Sequence, residues 1–286
     1  MNSDLLRTIT PDEVGTYHRD GVLLLSGMFD KDWIELLNKG IDTNIKTPTR
    51  GSRIWYKDTS GRSMFYDHTA WQNIDEYKKF IFNSPAAQIC GQLMRSTIVN
   101  FFFDSVFVRS TGTQFETPWH QDEPYWSVEG YDACTIWMPL APVKKKSSLS
   151  FVPGSHLWKT VFKHYNFGDL NPVGNKNVDQ VDFSDIAEQE VPDINSDPER
   201  FGVVSWNMQP GDCIVFHGRT MHGGSGKLGD DCDLRVFTTK WAGDDIRIKF
   251  RDYGMDPDHS VEMKEKGLKS GDYLGTDMYP RIWTKV

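Results

Sequence analysis

A mainly β fold with helical support, a jelly roll or antiparallel sandwich entered through an N-terminal helical third, is what this sequence predicts. Three observations predict it. From Asn100 onward, short runs rich in β-branched and aromatic residues follow one another, separated by Gly and Pro turns with no helical segment between them. Before that point, apolar residues recur at helical spacing behind capping residues. And the 286 residues include 17 Phe, 10 Trp and 10 Tyr, ample ring surface for a folded core.

The elements can be argued in order. Thr10-Pro11-Asp12-Glu13 combines a cap, a proline at the first helical position and a capping-box glutamate, so a helix starts there and ends near Asp20-Gly21. Val22 to Leu25 is a short buried strand. Asp30 opens a second helix with Trp33, Leu36, Leu37 and Ile41 on one face. Ile74 to Ser96 is helical, with a break at Asn83-Ser84-Pro85. Strands are expected at Asn100–Arg109, Ala133–Leu140, Ser148–Val152, Val203–Met208, Asp212–His217 and Leu234–Trp241. The whole chain, 1–286, reads as one domain: 1–98 mostly helical support, 99–243 a jelly-roll core, and 244–286 an irregular tail. Within the core, 163–200 is a polar insertion of the length used for lids and binding loops.

Charge narrows the partners. Lys plus Arg number 32 and Asp plus Glu 40, a net charge of −8, which argues against a protein that wraps nucleic acid or docks on anionic lipid by field alone. The basic run Lys144-Lys145-Lys146 suits a solvated loop. Cys90, Cys134, Cys213 and Cys232 show no CxxC spacing and are expected to be reduced, in a cytoplasmic setting. No secretory leader or membrane-spanning run is apparent. The expected partner is a small molecule, and the composition does not choose between monomer and homodimer.

The chemistry concentrates in two segments. In Thr117-Pro118-Trp119-His120-Gln121-Asp122, an extended backbone puts the His120 imidazole and the Asp122 carboxylate on one face. A second histidine would complete the facial set of two imidazoles and one carboxylate that suits non-haem Fe(II) and leaves positions open. It lies about a hundred residues on, where Gly211 to Gly226 form a turn, an apolar strand and a histidine embedded in glycines. His222 and His217 compete for this role, and His222 is preferred. Arg235 begins an alternating strand that could hold a guanidinium inside a barrel, where it would want a carboxylate partner. Lys240 and Arg247 are the next basic residues along should Arg235 not serve. His156 suits a turn, and His18, His68, His164 and His259 have no partner pattern.

Taken together, Thr117 to Trp126, Ser148 to His156, Met221 to Gly226 and Arg235 make the sequence similar to the phytanoyl-CoA dioxygenase family, over nearly the whole span from Asp20-Gly21 to Asp245. The resemblance implies a double-stranded β-helix and an oxygenase using Fe(II), 2-oxoglutarate and O2, with release of succinate and CO2. It matches His120, Asp122 and His222 to the metal ligands. Arg235 matches the residue pairing with the distal carboxylate of 2-oxoglutarate, Trp137 lines that pocket, and Arg109 stands where relatives often carry Lys. Gly224 departs from the pattern, since relatives often have Ser there. Retention of Asp122 separates the chain from related halogenases, so hydroxylation of an unactivated C–H bond, or desaturation, is expected. Two other classes stay open: a cupin-type metal-dependent lyase or isomerase, and a jelly roll that binds small molecules without turnover.

Trp55, Tyr56, Phe65, Tyr66, Trp71, Tyr125 and Trp126 either line a substrate pocket over the iron or are ordinary core. In the first case they suit a polycyclic apolar substrate or a quaternary ammonium. A coenzyme A ester fits less well, because a chain of net charge −8 offers its phosphates little.

Overall fold

The computed structural model describes residues 1–113, 116–162, 189–224, 233–251 and 255–285. In chain order the elements are α1 (Pro11–Asp20), β1 (Val22–Leu25), α2 (Lys31–Lys46), β2 (Arg53–Lys57), β3 (Ser63–His68), α3 (Asp75–Asn83), α4 (Ala86–Met94), β4 (Ile98–Arg109), β5 (Thr117–His120), β6 (Val128–Glu129), β7 (Ala133–Pro139), β8 (Ser150–Phe151), β9 (Cys213–His217), β10 (His222–Gly224), β11 (Leu234–Ala242), β12 (Arg247–Ile248), α5 (Ser260–Glu265) and β13 (Arg281–Thr284).

Local chemistry sets the helix ends. Thr10 accepts from the Glu13 backbone N–H, and the Glu13 carboxylate accepts from the Thr10 N–H, which closes a capping box on α1. Asp30 caps α2 through the Trp33 N–H. Gly21 ends α1 at φ 71°, a conformation costly for any side chain.

Most of the strands form two facing antiparallel sheets, and β12 pairs with β6 in a separate two-stranded one. The larger runs β1-β9-β7-β11-β4-β3-β2, with β13 also paired to β4, and the smaller runs β5-β10-β8. This is the jelly-roll, double-stranded β-helix arrangement, in which one sheet buries an outer face under helices and both sheets share an inner cavity. Period-two alternation sorts the residues of the large sheet. Phe237 and Trp241 of β11, Phe101 and Val106 of β4, and Cys134, Ile136 and Met138 of β7 join Trp33, Leu37, Tyr77 and Phe80 of the helices in one core. Val236, Trp137 and Phe216 face the other way, toward Phe151 of the small sheet.

Several expectations need correction. The N-terminal third contains β2 and β3, which extend the large sheet beside β4; their runs mix charged and polar residues with aromatic ones and lack clean alternation. Val203–Met208 forms only isolated bridges at Val204 and Met208. The C-terminal segment carries β12, α5 and β13. Of the polar insertion, 163–188 lies outside the described residues, as do His164 and Cys232. Cys90, Cys134 and Cys213 are free thiols, and no helix among the described residues is long and apolar enough to cross a membrane.

Candidate active site

Two short strands of the small sheet bring the metal-type residues together. His222 on β10 pairs in register with His120 on β5, and the ring centroids are 4.1 Å apart. Asp122 follows where the chain leaves β5, its backbone N–H bonded to the Gly218 carbonyl. Its Oδ1 lies 3.5 Å from His120 Nε2 and 3.7 Å from His222 Nε2. Two ligands about 2.1 Å from one ion and at right angles are about 3 Å apart, so this spacing needs only a slight contraction around a metal. Among the described residues, this is the group of three His, Cys, Asp or Glu side chains close enough to share an ion.

The surroundings fix the chemical form of each ligand. His120 Nδ1 donates to the Pro118 carbonyl at 2.8 Å and His222 Nδ1 to the Thr220 carbonyl at 2.9 Å, which leaves both Nε2 lone pairs facing the site. Thr135 Oγ1 donates to Asp122 Oδ2 at 3.2 Å, so Oδ1 is the oxygen turned toward the imidazoles. Burial, with His120 alongside, pushes His222 down to about 4, so it is neutral and able to ligate near pH 7. Burial by itself would raise the Asp122 carboxyl, but the adjacent imidazoles and Lys240 outweigh it and hold the group at about 2. Two neutral imidazoles and a carboxylate are the donor set of a non-haem Fe(II) site.

One cavity opens onto these ligands. Its wall includes Arg109, Trp137, Trp55, Tyr66, Tyr125 and Trp126 from the sequence reading, and Lys240, named there as a fallback to Arg235, together with Phe103, Ser105, Phe107, Thr135, Thr238 and Asp256, which that reading did not place there. Trp55 stacks on Tyr66 with centroids 4.4 Å apart. Trp71 instead packs in the helix-covered core. Tyr56 belongs to β2 by its backbone, and its side chain lies outside the described residues.

The expected role of Arg235 does not fit its position. On β11 the cavity-facing residues are Leu234, Val236, Thr238 and Lys240. Arg235 alternates onto the helix side, where it donates to Asp42 at 2.7 Å and to the Asn38 carbonyl at 2.9 Å, both on α2. Arg109 on β4, directly opposite Leu234, is the guanidinium the cavity receives; it is only 7% exposed, and burial pushes it down to about 10, so it stays charged at neutral pH. His217 also leaves the site: it packs against Tyr131 and His156, at 4.4 and 5.3 Å. A phase count on Arg235–Trp241 carried the signal, because the face holding Phe237 and Trp241 had to be the core and Arg235 shares it.

Such a jelly roll, with two imidazoles and a carboxylate lining its cavity, defines the class of iron- and 2-oxoglutarate-dependent oxygenase folds. Within that class, residues 17–235 match the phytanoyl-CoA dioxygenase (PhyH) family, and the chain belongs to it. Among solved structures it is similar to SnoK, a non-haem alpha-ketoglutarate-dependent carbocyclase of nogalamycin biosynthesis, at 16% identity and a TM-score of 0.70 over 99% of this chain and 100% of that one. The epimerase SnoN, solved with Fe3+, alpha-ketoglutarate and nogalamycin RO, gives 18% identity and a TM-score of 0.63 over 94% and 97% of the two chains. EctD from S. alaskensis, solved with 2-oxoglutarate and 5-hydroxyectoine, gives 16% and 0.65 over 97% and 85%. At these identities the likeness is one of fold. Compared with curated proteins, the sequence finds no match.

Proposed function

We propose that this protein is an Fe(II)- and 2-oxoglutarate-dependent oxygenase that hydroxylates an unactivated C–H bond of a free small molecule held in the cavity. The observation that carries the reading is the placement of His120, Asp122 and His222 on the wall of the same buried cavity that receives the Arg109 guanidinium. When bound, iron with 2-oxoglutarate and O2 supplies the oxidising power, with succinate and CO2 as co-products.

The chain's own residues have separable tasks. The carbonyls of Pro118 and Thr220 hold the two imidazoles in the ligating tautomer, and Thr135 orients the carboxylate. Arg109 takes the distal carboxylate of 2-oxoglutarate in the place expected of Arg235, and Trp137 lines the same space. Phe103, Phe107, Tyr66, Trp55 and Trp126 keep water from the reacting centre and give an apolar substrate its surface.

Carbocyclase and epimerase activities in similar folds favour one alternative outcome, in which the same machinery removes hydrogen without adding oxygen. Screening small molecules by Fe(II)-dependent succinate release, followed by product mass, tests both. A product heavier by one oxygen atom supports hydroxylation, an isomer or dehydro product supports the alternative, and turnover without succinate contradicts the oxygenase reading.

A further inference from the structure

Lys240 helps keep Asp122 ionised but has no part in binding in the account above, although its position is costly. It is 6% exposed, and a buried ammonium is normally held by a counter-charge. Among the described residues no carboxylate comes within ion-pair distance of it, although Asp122, Asp104 and Asp256 lie near enough to favour its charge. Its ammonium donates to Ser105 Oγ at 2.8 Å and Thr238 Oγ1 at 2.7 Å, and it sits 4.6 Å from the centroid of the Phe103 ring. Both accepting hydroxyls belong to the cavity wall, and an ammonium carries three donors, so one N–H is left for the cavity. In register, Lys240 stands opposite Thr135, the residue that holds Asp122, so it flanks the metal ligands. Arg109 lies six residues along β4 from Phe103, Lys240's partner in register, so the two cations enter the cavity from different levels of the sheet.

We propose that Lys240 is a specificity-determining residue, pairing with an anionic oxygen, a carboxylate or an ionised phenol, on a ring-bearing apolar substrate. The rings beside it, Phe103, Tyr125 and Trp126, suit the body of such a molecule. A quaternary ammonium would meet this cation and be repelled. The inference rests on the oxygenase reading for the occupant of Arg109.

Calorimetric titration tests it, using anaerobic protein loaded with Fe(II) and 2-oxoglutarate. The probes are salicylate, 3-hydroxy-2-naphthoate and anthraquinone-2-carboxylate, each beside its methyl ester. The wild type is expected to bind at least one acid about tenfold or more tightly than its ester. Lys240→Met and Lys240→Gln should each abolish that preference while leaving ester affinity within about twofold, and near-UV circular dichroism reports whether they fold. Equal binding of acids and esters by the wild type, no binding by any acid, or a preference that survives in a folded Lys240 variant overturns the proposal. The wild-type comparison needs no variant. Wild-type protein that fails to take up 2-oxoglutarate overturns the oxygenase reading instead, and the acid preference of the protein without cosubstrate still decides the role of Lys240.

Discussion

His120 and His222 face each other directly across β5 and β10, so the distance between two imidazoles of the candidate metal site is set by one antiparallel strand pair. The residue after His222 explains how the strands come so close. A Cβ on Gly223 would lie 2.9 Å from the Thr117 carbonyl, a backbone atom with little room to yield, whereas one on Gly224 would meet its nearest neighbour, Leu149, at an ordinary 3.6 Å. Gly223→Ala is therefore expected to weaken Fe(II) binding by about tenfold or more, while Gly224→Ser leaves it within about twofold. Metal titration of the two variants checks this contrast.

Arg109 and Arg235 should separate cleanly. Arg109→Met is expected to weaken 2-oxoglutarate by about tenfold or more, since it removes the charged partner of a carboxylate. Arg235→Met breaks the half-exposed pair with Asp42 and the bond to the Asn38 carbonyl, both on α2, so it should cost about 1–2 kcal/mol of stability and leave cosubstrate affinity unchanged. Equilibrium 2-oxoglutarate binding and urea unfolding distinguish the two.

Acid should destabilise the apo-protein through its buried histidines. Burial pushes His217 and His259 down to about 3, whereas the unfolded chain binds a proton at each near the ordinary 6.5. Their contribution is thus fully present above about 6.5 and is lost as pH falls toward 3, at up to about 1.4 kcal/mol per pH unit for each group. Asp104 and Asp132, raised to about 6 by burial, act in the opposite sense over part of that range. The difference between proteins isolates the histidine: between pH 7 and pH 5, His217→Asn should lose about 2 kcal/mol less than the wild type in urea unfolding.

The sequence made particular elements legible because local chemistry decides them. The Thr10 and Asp30 caps placed α1 and α2, and the runs at Asn100, Ala133, Asp212 and Leu234 became β4, β7, β9 and β11. The His-x-Asp and the glycine-flanked His222 named the three side chains that the structure brings within reach of one ion, since ligation demands those residue types. What local pattern lacked was phase. Arg235 was visible as a cation beginning a strand, but only the depth of Phe237 and Trp241 in the helix-covered core turned it outward and Lys240 inward. Strands β2 and β3 escaped because their residues owe burial to β4, a neighbour supplied by the tertiary fold.

The central claim is that His120, Asp122 and His222 hold Fe(II) beside a 2-oxoglutarate reaching Arg109. An anaerobic titration of Fe(II) and 2-oxoglutarate, followed by the visible charge-transfer band of their chelate, tests it most directly. The account predicts a saturable band in the wild type, loss of the band in a folded Asp122→Ala, and a band requiring higher 2-oxoglutarate in Arg109→Met. A wild type that binds Fe(II) yet develops no band at any 2-oxoglutarate concentration, or a band undiminished in Asp122→Ala, would contradict it.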